Sequence, residues 1–189
     1  MKPLVLLFVL LAQTPQEARL VYVTQMAFAR LSRAHAIAAD PAIQQAVAAK
    51  NAAGETMAAV RSKDAAWIAD PALPLRKTLM QNPCAARLRE LVSADALIVE
   101  ALVMDAKGAL VCSTGETSDY WQGDEPKWQR TYQAGAASFV DKPAVDQSTG
   151  VYAVQLSVLV KEGQAKAGAL TLTLQLSFGE DAKPRPTRR

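Results

Sequence analysis

Two adjacent segments near the C-terminal end constrain the fold more than any other feature of this 189-residue chain. Large apolar side chains occupy every second position over residues 150–160, and leucines do so again over residues 167–176. A period of two indicates strands with one buried and one polar face. Residues 161–166, which contain Gly163, are typical of the turn between them. We therefore predict a long antiparallel hairpin whose apolar face must be covered by other elements.

A second hairpin is predicted upstream, over residues 97–113. A run rich in Leu, Ile and Val is split there by the turn sequence Asp105-Ala-Lys-Gly108. Residues 138–141 are predicted as one more short strand. Between the hairpins, Asp124 and Pro126 are typical of a helix start, so a helix is predicted over residues 124–135.

The first half of the chain is helical in pattern. Residues 15–39 carry apolar side chains at helical spacing and predict one long N-terminal helix. Asp40-Pro41 ends it, and Asp40 can cap a second helix. A further helical piece is predicted around Met57, and another after Asn82-Pro83. The order predicts an α+β fold: a long N-terminal helix, and a five-stranded antiparallel sheet with helices on one face.

The N-terminal residues are typical of a targeting segment. Lys2 is followed by an unbroken apolar run over residues 4–12 and then by polar residues, which is the layout of a secretory signal peptide. We expect a signal peptide over residues 1–18, one domain over residues 19–178 and a disordered basic tail over residues 179–189. The mature protein is then expected to be periplasmic or secreted.

The chain has two cysteines, Cys84 and Cys112. An even number in an exported protein suggests a disulfide. Two buried free thiols are the alternative, because cysteine packs well as a small apolar residue. The sequence leaves both open.

Charge and motifs exclude several functions. The net charge is +3, and four cations lie in the last seven residues, so the folded part shows no basic stripe for nucleic acid. The single histidine, His35, lies beside an apolar stripe and is interpreted as a packing residue. No nucleotide-binding, serine-hydrolase or zinc-protease motif occurs. We expect no cofactor, no metal site and no catalytic activity.

Residues 117–132 concentrate aromatic side chains: Tyr120, Trp121, Trp128 and Tyr132. Tyr and Trp combine a large apolar face with a polar group, which suits a small-molecule pocket. Charged side chains lie close by, at Asp119, Asp124, Lys127 and Arg130. The alternative is that the two tryptophans only pack this segment onto the sheet, and both roles are compatible.

Three runs carry a resemblance to a known family. They are Val103-Met-Asp-Ala-Lys-Gly-Ala-Leu-Val-Cys-Ser113, Thr117-Ser-Asp-Tyr-Trp-Gln-Gly-Asp-Glu-Pro-Lys-Trp128 and Asp146-Gln-Ser-Thr-Gly-Val-Tyr-Ala-Val154. Together they resemble the extracytoplasmic PDC/Cache sensor domains, which have a PAS-like fold. The resemblance covers residues 20–178.

The resemblance implies a non-catalytic sensor with a pocket between the sheet and the loop-helix segment. Its ligand would be an amino acid, a carboxylate or an amine, and it would report to a membrane-bound signalling protein. The implied ligand-binding residues are Tyr120, Trp121, Trp128, Arg130, Tyr132, Asp141 and Tyr152. The family usually has Arg two residues before the pocket Trp. Pro126 stands there in this chain, and Lys127 and Arg130 are the nearby cations that could substitute.

Two further expectations concern partners. The N-terminal helix is the family's usual dimer contact, and the spacing of Leu20, Val23, Ala27 and Leu31 permits a homodimer there, although it equally permits packing within the monomer. The alternative to a sensor is an exported structural or interaction module whose pocket is filled by its own side chains.

Overall fold

A computed structural model describes residues 14–146, without the side chain of Asp146, and residues 151–178. Residues 1–13 and 179–189 lie outside the described residues, so the signal peptide and the basic tail stay predictions. Residues 15–18, which we assigned to the signal peptide, lie in the first helix.

The chain forms helices first and a sheet afterwards. The helices are α1 (Pro15–Phe28), α2 (Leu31–Ala38), α3 (Pro41–Ala52), α4 (Met57–Ala69), α5 (Pro74–Gln81), α6 (Pro83–Val92) and α7 (Pro126–Trp128), and α7 continues as a π-helix (Gln129–Gln133). The strands are β1 (Ile98–Met104), β2 (Leu110–Ser113), β3 (Ser138–Val140), β4 (Ala144–Asp146), β5 (Val151–Glu162) and β6 (Ala165–Leu176). No described helix is long and apolar enough to cross a membrane.

The sheet has the order β2-β1-β6-β5-β3, and all neighbouring strands are antiparallel. The α+β class and the antiparallel sheet that the sequence predicts are confirmed. The five predicted strands form the main path, and β4 is an addition that pairs with β5 beside β3. Strand β4 was not predicted, because a segment of three residues is too short to show an alternating pattern.

Side chains cap the helices where the sequence predicts it. Asp40 accepts a hydrogen bond from the backbone N–H of Ala42 at 3.0 Å, which begins α3. Asn82 accepts one from Ala85 at 2.8 Å, which begins α6. Thr14 caps α1 and forms a capping box with Glu17.

The residues predicted as one long N-terminal helix, 15–39, are helical but not continuous, because the chain turns between α1 and α2. Arg30 leaves helical geometry with φ −103° and ψ 2°. Its guanidinium then donates to the Met26 carbonyl oxygen and forms an ion pair with Asp95 at 2.6 Å. Apolar spacing continues across the turn, so periodicity did not reveal it.

Both faces of the sheet are covered, whereas the sequence predicted helices on one face. One face packs against α1, α2, α3 and α6 through the alternating side chains of β5 and β6. The opposite face of β1 contributes Leu102 and Met104 to a second cluster, with Trp67 of α4 and Leu79 of α5. Helix α5 was not predicted from the sequence, because Pro74 resembles a helix breaker, although it stands at the first helical position.

A disulfide joins Cys84 of α6 to Cys112 of β2, with Cα atoms 5.9 Å apart. Both residues are buried. The amide of Asn82 also donates to the Val111 carbonyl oxygen at 3.0 Å. Helix α6 is therefore fixed to the edge strand β2 by a covalent bond and a hydrogen bond.

Candidate functional site

The face of β5 and β6 that points away from helices α1–α3 is polar and yet buried. Ser157 and Thr171 are fully buried, and their hydroxyl oxygens lie 2.9 Å apart. The two residues are directly paired across the strands, so both side chains project from the same face. We call this surface the polar face.

The next row of the polar face carries charge. The backbone N–H of Asp141 donates to the Gln155 carbonyl oxygen at 2.9 Å, which extends the β3–β5 ladder by one pair. Gln155 is paired with Thr173, and Thr173 with Glu100. The Thr173 hydroxyl donates to Glu100 Oε2 at 3.1 Å. Cross-strand partners share a face, so this row runs Asp141, Gln155, Thr173, Glu100.

Residues 126–133, which are α7 and the π-helix, cover the polar face and are called the roof. Both parts of the roof contact β5 and β6. Pro126 and Arg130 are exposed, whereas Lys127 and Thr131 are buried. The two exposed residues are four positions apart, and so are the two buried ones, so each pair lies on one side of the helical segment. The buried pair, Lys127 and Thr131, is on the side that faces the sheet.

Lys127 is the most unusual side chain of the roof. Only 7% of the residue is exposed, and none of the ion pairs within residues 14–146 and 151–178 includes its ammonium. Its carbonyl oxygen is occupied, because it accepts from the Thr131 hydroxyl at 2.6 Å. Its ammonium is not among the buried side-chain atoms without a hydrogen-bond partner, so the stem is covered while the charged end reaches solvent. A lysine placed in this way, outside the ion pairs of the described residues, is free to meet an anionic group at the edge of the roof.

Aromatic side chains hold the roof in place. The indole N–H of Trp128 donates to the Asp105 carbonyl oxygen at 3.0 Å, which ties the roof to the β1–β2 hairpin. Trp128 stacks on Tyr132 with ring centroids 5.2 Å apart. Lys166 of β6 donates to the Tyr132 carbonyl oxygen at 2.7 Å and lies over the Tyr132 ring. The roof is thus attached at both ends.

Tyr120 lies in a separate polar cluster beside the roof and is 1% exposed. Its hydroxyl accepts from Lys50 Nζ at 2.8 Å and donates to Glu55 Oε2 at 3.1 Å. Burial raises the pKa of Tyr120, and the charge of Glu55 adds to this. Burial alone would raise the pKa of Glu55, but hydrogen bonds from Lys50 and Lys63 outweigh it and hold that pKa at about 2.

Trp121 is half-buried at the edge of the same cluster. Its indole N–H donates to the Lys107 carbonyl oxygen at 2.8 Å, and the Arg61 guanidinium lies 4.1 Å above its ring. The backbone N–H groups of Tyr120 and Trp121 both donate to Asp64 Oδ1, at 3.0 and 2.9 Å. The polar groups of both side chains are therefore already used in bonds that hold the loop.

The structure brings some of the sequence-predicted site residues together and separates others. Trp128, Tyr132 and Asp141 lie at the roof and the polar face. Arg130 is on the outer side of the roof. Tyr152 lies on the opposite face of the sheet, in the helix-side cluster, where it packs edge-on against Phe178 at 5.1 Å.

Sequence reasoning missed the residues of the polar face itself: Glu100, Gln155, Ser157, Thr171 and Thr173. Alternation does place Thr171 and Thr173 on the side of β6 opposite the leucines. It does not reveal that this side is buried, nor which strands lie beside it, because register depends on the turns and on packing.

The described residues also form a cavity away from the roof. An open cavity of about 320 Å³ lies between α2, α3 and the turn of the β5–β6 hairpin, and its lining includes His35, Gln44 and Lys161. Within residues 14–146 and 151–178, no three His, Cys, Asp or Glu side chains are grouped as metal ligands would be.

No family model matches the chain, and no curated protein matches it. Solved structures do. The sensor domain of the V. cholerae histidine kinase DctB has a TM-score of 0.45 and 12% identity over 83% of this chain and 51% of that chain. The ligand-binding domain of the Pseudomonas aeruginosa PAO1 amino acid chemoreceptor PctC, in complex with GABA, has a TM-score of 0.42 and 16% identity over 84% of this chain and 62% of that chain.

A third match is the ligand-binding domain of the Pseudomonas fluorescens chemoreceptor CtaA in complex with L-leucine, with a TM-score of 0.36 and 16% identity over 54% of this chain and 44% of that chain. The chain spans about half to three fifths of the first two domains. The three are a sensor domain of a histidine kinase and ligand-binding domains of two chemoreceptors. All three TM-scores are below 0.5.

Proposed function

We propose that this chain is an exported, non-catalytic sensor domain that binds a small carboxylate-bearing molecule between the polar face and the roof. The observation that carries the proposal is Lys127, which is 7% exposed on the buried side of the roof and belongs to none of the ion pairs among the described residues. A ligand carboxylate would supply the missing charge through a charge-assisted hydrogen bond.

The surrounding groups suit a small polar ligand. Ser157 and Thr171 provide hydroxyls, which can both donate and accept. Asp141 can accept from a ligand amine, and Trp128 and Tyr132 offer aromatic surface above. A largely apolar site with a few placed polar groups is typical of small-molecule pockets.

Binding without catalysis is supported by the positions of Tyr120 and His35, two side chains that could otherwise take part in proton transfer. The Tyr120 hydroxyl lies between Lys50 and Glu55. His35 is exposed on α2, on the side of the sheet opposite the roof. Neither is placed to act on a ligand at the polar face.

The proposal includes a location and a partner. We propose that residues 1–18 direct export to the periplasm or medium, and that ligand occupancy is reported to a membrane-bound signalling protein. The exposed apolar side chains of α1, which are Val21, Tyr22 and Phe28, offer a surface for a homodimer. Sedimentation should then give twice the monomer mass, and Phe28→Lys should restore the monomer.

An interaction module is the second candidate. It is favoured by Met57 and Ile68, exposed apolar side chains on α4, the second of them 62% exposed. Ile68→Lys should abolish binding to a protein partner on that candidate and leave ligand binding unchanged on the sensor proposal.

The test is a thermal unfolding screen of the purified exported protein against carboxylates, amino acids, amines and nucleobases. A ligand at about 100 times its dissociation constant should stabilise the fold by about 2.7 kcal/mol, which raises Tm by several degrees. Lys127→Met should abolish the shift, and Arg130→Met should keep it, because Arg130 points outward. The proposal fails if no carboxylate shifts Tm, or if Lys127→Met responds like the unaltered protein.

A further inference from the structure

The open cavity of about 320 Å³ at the end of the β5–β6 hairpin lies apart from the roof, and none of residues 126–133 lines it. Its polar side chains come from three elements, because His35 belongs to α2, Gln44 to α3 and Lys161 to β5. The rest of the lining is apolar or glycine: Ala38, Ala39, Ala137, Leu159 and Gly163. The cavity therefore combines three polar groups with an apolar wall.

The three polar side chains of the cavity are not used elsewhere in the described fold. Within residues 14–146 and 151–178, none of them takes part in an ion pair or a side-chain hydrogen bond. Lys166, on the neighbouring strand, differs from Lys161 in this respect, because it donates to two carbonyl oxygens of the roof. The polar groups that line the cavity are thus able to bind a ligand without breaking a bond of the fold.

The charge of the cavity is positive. Lys161 carries an ammonium, and no carboxylate among the described residues lines the cavity. Two acidic residues adjoin the lining in sequence, Glu162 and Asp40, and Asp40 is already paired with Arg87 at 2.8 Å. An ammonium that can donate to a bound anion makes a charge-assisted hydrogen bond, so an anion is the ligand that this cavity suits.

The donors of the cavity distinguish one class of anion from another. An ammonium has three N–H donors, a primary amide has two, and a neutral imidazole has one. A carboxylate offers two oxygens in one plane, whereas a phosphate group offers at least three strong acceptor oxygens in a tetrahedral arrangement. Donors from three separate elements match the phosphate better. The volume is at the lower end for small-molecule pockets, which limits the ligand to a small molecule.

We propose that this cavity is a second binding site, for a small molecule that bears a phosphate group. Lys161, Gln44 and His35 bind the phosphate oxygens, and the organic part of a phosphate ester contacts the alanines of the wall. Free phosphate would use the polar side chains alone. The site does not rest on the proposed function, because it shares no residue with the carboxylate site under the roof.

The experiment uses His35, which is the only histidine of the chain, so its imidazole NMR signals need no assignment. The purified, untagged protein is titrated at constant pH and ionic strength with inorganic phosphate and with glycerol 3-phosphate. Sodium acetate and sodium chloride are the comparisons. The phosphate probes should shift the His35 signals in a saturable way, acetate should bind more weakly, and chloride should give no saturable shift. The tighter of the two phosphate probes identifies whether the site prefers the free anion or an ester.

Three variants connect the shift to the cavity. Lys161→Met removes a charged hydrogen bond and should weaken phosphate binding by about tenfold or more. Lys77→Met removes the same charge from an exposed position on α5, which does not line the cavity, and should leave phosphate binding unchanged. Ala39→Leu, at an exposed position of the wall, should weaken binding by narrowing the cavity without changing its charge.

Three results would overturn the inference. The first is the absence of a saturable shift with both phosphate probes. The second is acetate binding as tight as that of phosphate, which would remove the preference for a tetrahedral anion. The third is equal weakening in Lys161→Met and Lys77→Met, which would show that the response follows net charge and not the cavity.

Discussion

The hydroxyl of Tyr120 lies between an ammonium and a carboxylate, away from water. Tyr120→Phe removes two hydrogen bonds but leaves the direct Lys50–Glu55 pair at 2.6 Å. We expect a loss of about 1–2 kcal/mol in the free energy of unfolding, measured by urea denaturation.

Tyr132→Phe is the control, because the Tyr132 hydroxyl makes no hydrogen bond within the described ranges. It should change the free energy of unfolding by less than about 0.5 kcal/mol. Equal losses in the two variants would contradict this account of the Tyr120 cluster.

Gly108, in the β1–β2 turn, touches the backbone of Gly123, three residues before the roof. It has φ +79°, and a Cβ there would lie 2.5 Å from Gly123 Cα. Gly108→Ala combines a left-handed backbone with a clash between two main chains, so we expect a loss of about 2–4 kcal/mol.

Gly163→Ala separates these two causes. Its φ is +59°, but a Cβ there meets nothing within 4 Å. Only the conformational cost remains, about 1 kcal/mol. If both alanine variants unfold at the same urea concentration, the contact between Gly108 and Gly123 is not tight.

At the scale of elements, the disulfide fixes α6 to β2. Cys84 and Cys112 are 28 positions apart. By the chain-entropy model, closing such a loop stabilises the fold by about 3–4 kcal/mol. The double variant Cys84→Ser/Cys112→Ser should therefore unfold at markedly lower temperature.

Reductant provides the control for this prediction. It should lower the Tm of the unaltered protein toward that of the double variant and leave the variant unchanged. A variant as stable as the oxidised protein would contradict the prediction.

The elements themselves were largely predictable from local chemistry. Asp40 and Asn82 mark helix starts because a short polar side chain before Pro satisfies free N–H groups. The turn at Arg30 was not predictable, because its contact with Asp95 joins positions 65 apart in the chain. The helix predicted over residues 124–135 is instead three residues of α-helix and a π-helix.

At the scale of the whole molecule, three carboxylates of the described residues have lowered pKa values. Hydrogen bonds from Arg87 and Arg30 lower the pKa of Asp40 and Asp95. Glu55 is held at about 2 against its burial. A carboxyl with a lowered folded-state pKa contributes stability above its unfolded pKa and loses it as the pH falls through the folded value.

We therefore expect the free energy of unfolding to fall between about pH 5 and pH 2. Asp105 acts in the opposite direction, because burial raises its pKa and protonation favours the fold. Glu55→Gln should make the decline shallower, as measured by urea denaturation at several pH values. An unchanged slope would show that Glu55 is not linked to acid unfolding.

The candidate site was predictable only in its parts. Aromatic enrichment pointed to the segment that forms the roof, and the family resemblance pointed to Asp141, which lies on the polar face; their role in binding stays a prediction. Glu100 was missed because only the register of β1 against β6 brings it to Thr173. Tyr152 was placed in the pocket because it resembles the family's residue, yet alternation along β5 directs it to the helix side.

Strand β5 contacts α1 on one face and the roof on the other. A partner protein bound to α1 and a ligand bound under the roof would therefore lie on opposite faces of the same sheet. If binding at either site shifts the position of β5, the affinity for the partner and the affinity for the ligand are thermodynamically linked. Each must then change the other by the same factor. An assay of partner affinity would then measure ligand binding, and the reverse.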